Sequence, residues 1–170
     1  LNEENRNNRY LPDIDLPAGM KATTDLGEAL AGAEAVMLVT PSRTVREISR
    51  AVAEHLEEKT AIALCAKGIE AGTGRLLANV AGAEMPGHPV GAISGPTFAH
   101  ETAKAYPTAA TVAFDFTHED RLNPSESAAA RFAVSLSSET FRPFISDDLT
   151  GVEIGGAVKN VIAIACGMMT

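Results

Sequence analysis

With 170 residues the chain has the size of one ordinary domain, and a hydrophobic content of 45% is enough to build a core. A formal net charge of −8 argues against nucleic acid or an anionic membrane as partner, although a few local lysines can still hold an anionic small molecule. The opening Leu1-Asn2-Glu3-Glu4-Asn5 lacks the apolar stretch of a signal peptide, and Cys65 and Cys166 stand apart in apolar runs, which makes no metal pattern and suits a reduced cytoplasmic compartment.

Residues 3–9 read as a helical turn and 10–17 as an extended loop carrying Pro12 and Pro17. A short strand is expected at 21–23, then a short helix at 26–31 behind the capping residues Thr24 and Asp25. Residues 34–40 form a buried strand ended by Pro41-Ser42, and 44–58 an amphipathic helix with Val45, Ile48, Val52 and Leu56 on one face. A second strand at 60–66, a helix at 73–80 ended by Gly82, and a third strand at 90–94 follow. Beyond Gly95-Pro96 come a short helix at 97–106, a fourth strand at 108–114, a polar loop at 115–123, a helix at 127–136 and a strand at 140–145, placed at an edge by Pro143. Alternating strand and helix units with almost continuous apolar strands predict an α/β fold: a Rossmann-like parallel sheet with helices on both faces. A boundary is expected near residue 147, dividing a domain at 1–146 from the start of a second at 147–170.

The last stretch is the most informative. Thr150 and Glu153 have capping-box spacing, so a helix is expected to start at Gly151. It is apolar nearly all round, which predicts burial, yet Lys159 stands in its middle. Val152, Gly155, Gly156, Lys159, Ala163 and Cys166 share one stripe, so the lysine's neighbours are small and leave room for a ligand. Two readings compete: the lysine reaches solvent along its stem, or the helix spans a membrane; the central charge and the lack of aromatic or basic flanks argue against the span.

Ligands of open α/β sheets sit at the carboxyl ends of the strands. Two segments occupy that position. Cys65-Ala66-Lys67-Gly68-Ile69-Glu70 aims a lysine at the crevice, and Ser94-Gly95-Pro96-Thr97-Phe98-Ala99-His100-Glu101 offers backbone N–H groups to an anion or a carbonyl oxygen. Gly72-Thr73-Gly74-Arg75-Leu76-Leu77 begins like a dinucleotide fingerprint, but the third glycine position is Leu77 and no strand leads into it. The first residue is not Met and the last helix reaches Thr170 without a stop signal, so a piece of a longer chain is expected, with a complete protein of processed ends as the alternative.

Four segments together resemble the bacterial NAD(P)-dependent glycerol-3-phosphate dehydrogenases: Asn2-Glu3-Glu4 through Arg9-Tyr10-Leu11-Pro12; Lys67-Gly68-Ile69-Glu70; Gly95-Pro96-Thr97-Phe98-Ala99-His100-Glu101; and Gly151 through Ala165. The loop at 115–125 matches least. The resemblance implies NAD or NADP as cofactor, interconversion of sn-glycerol 3-phosphate and dihydroxyacetone phosphate, a role in glycerophospholipid synthesis, and an all-α substrate domain of which 147–170 would be the first helix. It further implies Lys159 as catalytic base and Lys67 in contact with both substrate and cofactor. Gly95, Thr97 and Asn160 would be further substrate contacts, and Ala99 a cofactor contact. No metal is implied. Ala66 departs from the Ser or Thr of many relatives. Two alternatives stay open: a two-domain dehydrogenase for another hydroxy substrate, and a non-catalytic binding module. The oligomeric state is open too, and apolar surface that a further domain would cover admits a homodimer.

Overall fold

The computed structural model describes residues 1–168; Met169 and Thr170, which the last expected helix would include, lie outside the described residues. Five strands form the main sheet: β3 (Ala35–Leu38), β4 (Ala61–Leu64), β5 (Val90–Ser94), β6 (Thr108–Phe114) and β7 (Phe141–Ser146), side by side in chain order. β7 is an edge strand, as Pro143 required. A separate hairpin at the start pairs β1 (Arg6–Asn7) with β2 (Leu11–Asp15).

One face of the sheet carries α1 (Leu26–Leu30), α2 (Val45–Ala53) and α3 (Leu77–Glu84), and its core joins Val36, Leu38, Ile62, Leu64 and Ala92 to Val45, Val52, Leu77 and Met85. The other face packs Ala61, Ala63, Ile93, Val112 and Phe114 under Ala129 and Phe132 of α6 (Ala128–Leu136). Phe114 and Phe132 stack with centroids 5.6 Å apart. Local chemistry starts these helices: Asp25, Thr117 and Ser127 accept from Glu28, Asp120 and Ala130 N–H at the heads of α1, α5 (His118–Leu122) and α6.

Several expectations need correction. The sheet is mixed, because β5 and β6 run antiparallel while the other pairs are parallel. An apolar run carries no direction. The link between β5 and β6 holds only the five-residue α4 (Ala99–Ala103), about 7.5 Å of helix, too little to return along a five-residue strand of about 17 Å. The N-terminal segment is a hairpin and not a helical turn, with Leu16 N–H donating to Asn5 O at 2.7 Å and Arg6 paired with Asp15. Residues 21–23 are no strand; the Asn2 side chain takes both backbone groups of Ala22, each at 2.7 Å. Helix α3 starts at Leu77 because Gly72 and Gly74 adopt φ of +88° and +69° in a tight turn, and it continues through Gly82.

The final helix, α7 (Leu149–Gly167), begins earlier than expected: Asp148, not Thr150, accepts from Gly151 N–H. It starts near the rim where β7 ends and runs back across β5 and β6. Leu149 and Val152 pack into the first core. The helix is not buried throughout. From Asn160 to Met168 its residues are exposed, including Val161, Ile162 and Ile164. Ten residues of helix cover about 15 Å, roughly the length of β5, so beyond Lys159 the helix has run off the sheet. By length and composition alone α7 could cross a membrane, but its first turns are docked on the sheet.

Candidate active site

The carboxyl ends of β3, β4 and β5 lie on one rim, and the reversal at β6 brings the starts of β6 and β7 to the same rim. Lys67 follows β4 there. Its Nζ donates to the carbonyl of Gly95, at the end of β5, at 2.8 Å. Gly95 is tied to glycine by β6, since a Cβ would stand 2.6 Å from Ala109 O and 2.9 Å from Ala110 Cα. The carbonyl that holds Lys67 is therefore fixed by strand packing.

Lys159 reaches the same place from α7. Burial pushes the Lys67 pKa down and the ammonium of Lys159 beside it lowers it further, while the Cys65 thiol acts the other way. The Lys159 Nζ also lies 5.7 Å from the centre of the Phe98 ring, which is 62% exposed. Two amines distant in sequence thus share one crevice with an aromatic wall, and Lys159 does not simply reach into bulk solvent.

Gly156 explains the approach of α7. A Cβ on it would lie 2.8 Å from Ser94 Oγ and 3.5 Å from Lys67 Cγ. The space expected beside this glycine is thus filled by protein, and the void left there is only about 10 Å³. Gly155, by contrast, faces open space. Thr97 is half-buried just past Gly95, Ala99 is exposed at the head of α4, and Asn160 is exposed one residue beyond Lys159.

The segment after Lys67 is clamped. Gly68 has φ +143°, and Ile69 bridges back to Leu76. Glu70 accepts two bonds from Arg46 of α2, at 2.8 and 2.9 Å, and Arg46 also binds Glu84 of α3. The Arg46 guanidinium, with help from the Thr73 hydroxyl, holds the Glu70 carboxyl down at about 2. Gly72 and Gly74 serve this turn, which Gly74 N–H closes on Glu70 O at 3.0 Å.

Sequence reasoning placed the segment of Ser94 and Phe98 at the crevice without singling out their side chains, missed Arg46, and gave Glu153 the wrong partner. Glu153 is buried and accepts from Ala78 N–H at 2.9 Å. A lone carboxylate in an apolar helix was the available signal, because such a group needs a donor. A cleft of about 760 Å³ opens at the opposite rim between Val90, Phe114, Asp115, Arg131 and Leu149. Its charges are mixed in sign, and the converging amines, not cavity size, mark the candidate site.

Residues 1–120 match the family described as NAD-dependent glycerol-3-phosphate dehydrogenase N-terminus, and residues 148–170 match its C-terminus. The chain belongs to this family. It is 41% identical over 169 residues to glycerol-3-phosphate dehydrogenase (NAD(P)+) of Rhodospirillum rubrum, covering 99% of this chain and 46% of that protein. The crystal structure of glycerol-3-phosphate dehydrogenase from Coxiella burnetii superposes with a TM-score of 0.82 at 35% identity, over 96% of this chain and 47% of that one. The Saccharomyces cerevisiae glycerol-3-phosphate dehydrogenase superposes with a TM-score of 0.85 at 27% identity, over 98% and 47%. This chain therefore spans about half the length of these relatives.

Proposed function

We propose that this chain is the catalytic core of an NAD(P)-dependent dehydrogenase that interconverts sn-glycerol 3-phosphate and dihydroxyacetone phosphate, supplying glycerophospholipid synthesis. The observation that carries the reading is the meeting of Lys67 and Lys159 at the strand-end rim. In this reading residues 1–146 are the larger part of a nucleotide-binding domain and 147–170 the first helix of a helical substrate domain.

The rim suits a nicotinamide cofactor. Thr40 Oγ1, at the end of β3, is buried without a hydrogen-bond partner, beside the exposed apolar side chain of Val39. Thr40, Lys67 and Ala99 would hold the cofactor, whose bound nicotinamide would supply the hydride acceptor for alcohol oxidation. The substrate would lie on Lys67, Gly95, Thr97 and Asn160. Lys159 Nζ takes the proton of the C2 hydroxyl, and in the reverse direction returns it to the ketone oxygen. Lys67, anchored on Gly95 O, places positive charge beside the developing alkoxide. The cytoplasm, suggested by two free cysteines, and a homodimer belong to the same reading.

The test is to extend the chain at both ends to the length of its relatives and assay dihydroxyacetone phosphate reduction. Lys159→Ala should cost about 10²- to 10⁴-fold in rate; an undiminished rate would refute the assignment. One observation favours a second reading. Burial acts on Lys67, so Lys67 itself could be the amine that exchanges the proton. Lys67→Met and Lys159→Met separate the two, because the acid limb of the pH–rate profile disappears only with the amine that titrates in it.

A further inference from the structure

Glu153 is the only acidic residue of α7, it is buried, and the mechanism above gives it no task. Its carboxylate accepts from Ala78 N–H at 2.9 Å, 75 residues away in the chain, and Leu77 N–H also faces it. These two groups are the first of α3. A helix start presents unpaired N–H groups and a partial positive charge, normally met by the preceding side chain. Here that residue is Leu76, which makes no cap bond. The cap of α3 is thus supplied by another helix.

The placement matters because both partners lead to the lysines. The turn that leaves Lys67 ends at Leu76 and passes directly into α3. On α7, Glu153, Gly156 and Lys159 follow at intervals of three: the first sits on α3, the second on Ser94 and Lys67, and the third beside the Lys67 ammonium. Six residues of helix are about 9 Å, a rigid arm from carboxylate to amine. Past Lys159 the described residues of α7 are exposed, so the seat of the helix is decided on this side.

We propose that Glu153 is a positioning residue: by seating its carboxylate on the first N–H groups of α3 it sets the rotation and depth of α7, and so holds the Lys159 ammonium against Lys67. The inference rests on the reading of this pair as the reacting amines, but it concerns geometry that is measurable without turnover. Burial raises the Glu153 pKa and the Ala78 and Leu77 N–H groups oppose it, while the negative charge of Asp115 adds to the rise. That environment suits a seat for α7 better than a surface charge.

The experiment uses the protein extended to the length of its relatives. The pH dependence of acetic anhydride labelling at Lys67, read by mass spectrometry, reports the Lys67 pKa independently of activity. Lys159→Met sets the reference, raising the Lys67 midpoint toward the ordinary 10.5 as the like charge disappears. Glu153→Ala should raise the midpoint in the same direction and lower kcat by about 10²-fold with KM changed much less. Glu153→Gln, which keeps an acceptor oxygen, should restore most of both. If Glu153→Ala fails to fold, Leu76→Asp serves instead: it gives α3 its own cap and displaces the Glu153 carboxylate by repulsion, so the midpoint should rise while α3 stays capped. A Lys67 midpoint that stays at the wild-type value in folded Glu153→Ala or Leu76→Asp protein overturns the proposal, even where thermal stability falls. Inactivity of the wild-type protein with the labelling shifts intact would sink the proposed reaction and leave the positioning role standing.

Discussion

The two halves of α7 differ in composition and surroundings, and the more apolar half is the exposed one. From Leu149 to Lys159 the helix lies over β5 and β6, with Leu149, Glu153 and Gly156 buried. From Asn160 to Met168 a run that is more apolar still stands exposed. Composition therefore reports what a helix is able to cover, not what lies beside it. Within this chain, which spans about half the length of its relatives, the sheet covers the helix as far as Lys159. The lysine falls at the last covered turn, where an amine can be partly desolvated and still reachable by a small molecule.

This contrast can be broken experimentally. The largest effect is expected in the covered half at the tightest contact. Gly156→Leu drives a side chain into Ser94 and Lys67, so α7 should tilt away, the lysines separate, and turnover fall by about 10²-fold or more. Steady-state kinetics check this, and a rate within twofold of wild type would show that α7 is not held where Gly156 places it. Next comes Leu149→Ala, which empties a site only 5% exposed and should cost about 2–5 kcal/mol by denaturant unfolding. In the uncovered half, Ile162→Ala in the 170-residue chain should change stability by less than about 0.5 kcal/mol in the same measurement. A comparable loss at both positions would mean that the two halves are equally packed.

The smallest effect lies away from α7, in the clamp on the Lys67 turn. Glu70 titrates near 2 in the fold, against an ordinary value of 4.5. Its folded pKa is depressed, so the unfolded chain binds the extra proton first. The stabilisation is fully present above about 4.5 and is lost as the pH falls through 2. Melting temperatures of wild type and Glu70→Gln should therefore differ most near neutral pH and converge in that acid window. A gap independent of pH would assign the effect to something other than charge.

The sequence made the strands of the sheet legible, because runs such as Ile62 to Leu64 are apolar on both faces and bounded by turn residues. It also brought Lys67, Gly95 and Lys159 forward as one group. Strand direction was not legible, since the reversal at β6 depends on the shortness of α4 and not on the pattern of the strand itself. The role of Glu153 was hidden for a related reason. Local spacing offered Glu153 a capping box with Thr150, three residues before it, while the stronger demand came from Leu77 and Ala78, whose preceding residue is apolar. Contacts across 75 residues leave no local signature beyond an acid out of place.

The antiparallel joint between β5 and β6 has one further consequence. Gly91 and Gly95 both face β6 so closely that a Cβ would stand 2.3 Å from Ala113 O at the first and 2.6 Å from Ala109 O at the second. A saturation screen for folded protein should show two intolerant columns, four positions apart, each accepting nothing larger than hydrogen. Variation that retunes this rim has to enter through the flanking loops, because the hinge line of the sheet is closed to it.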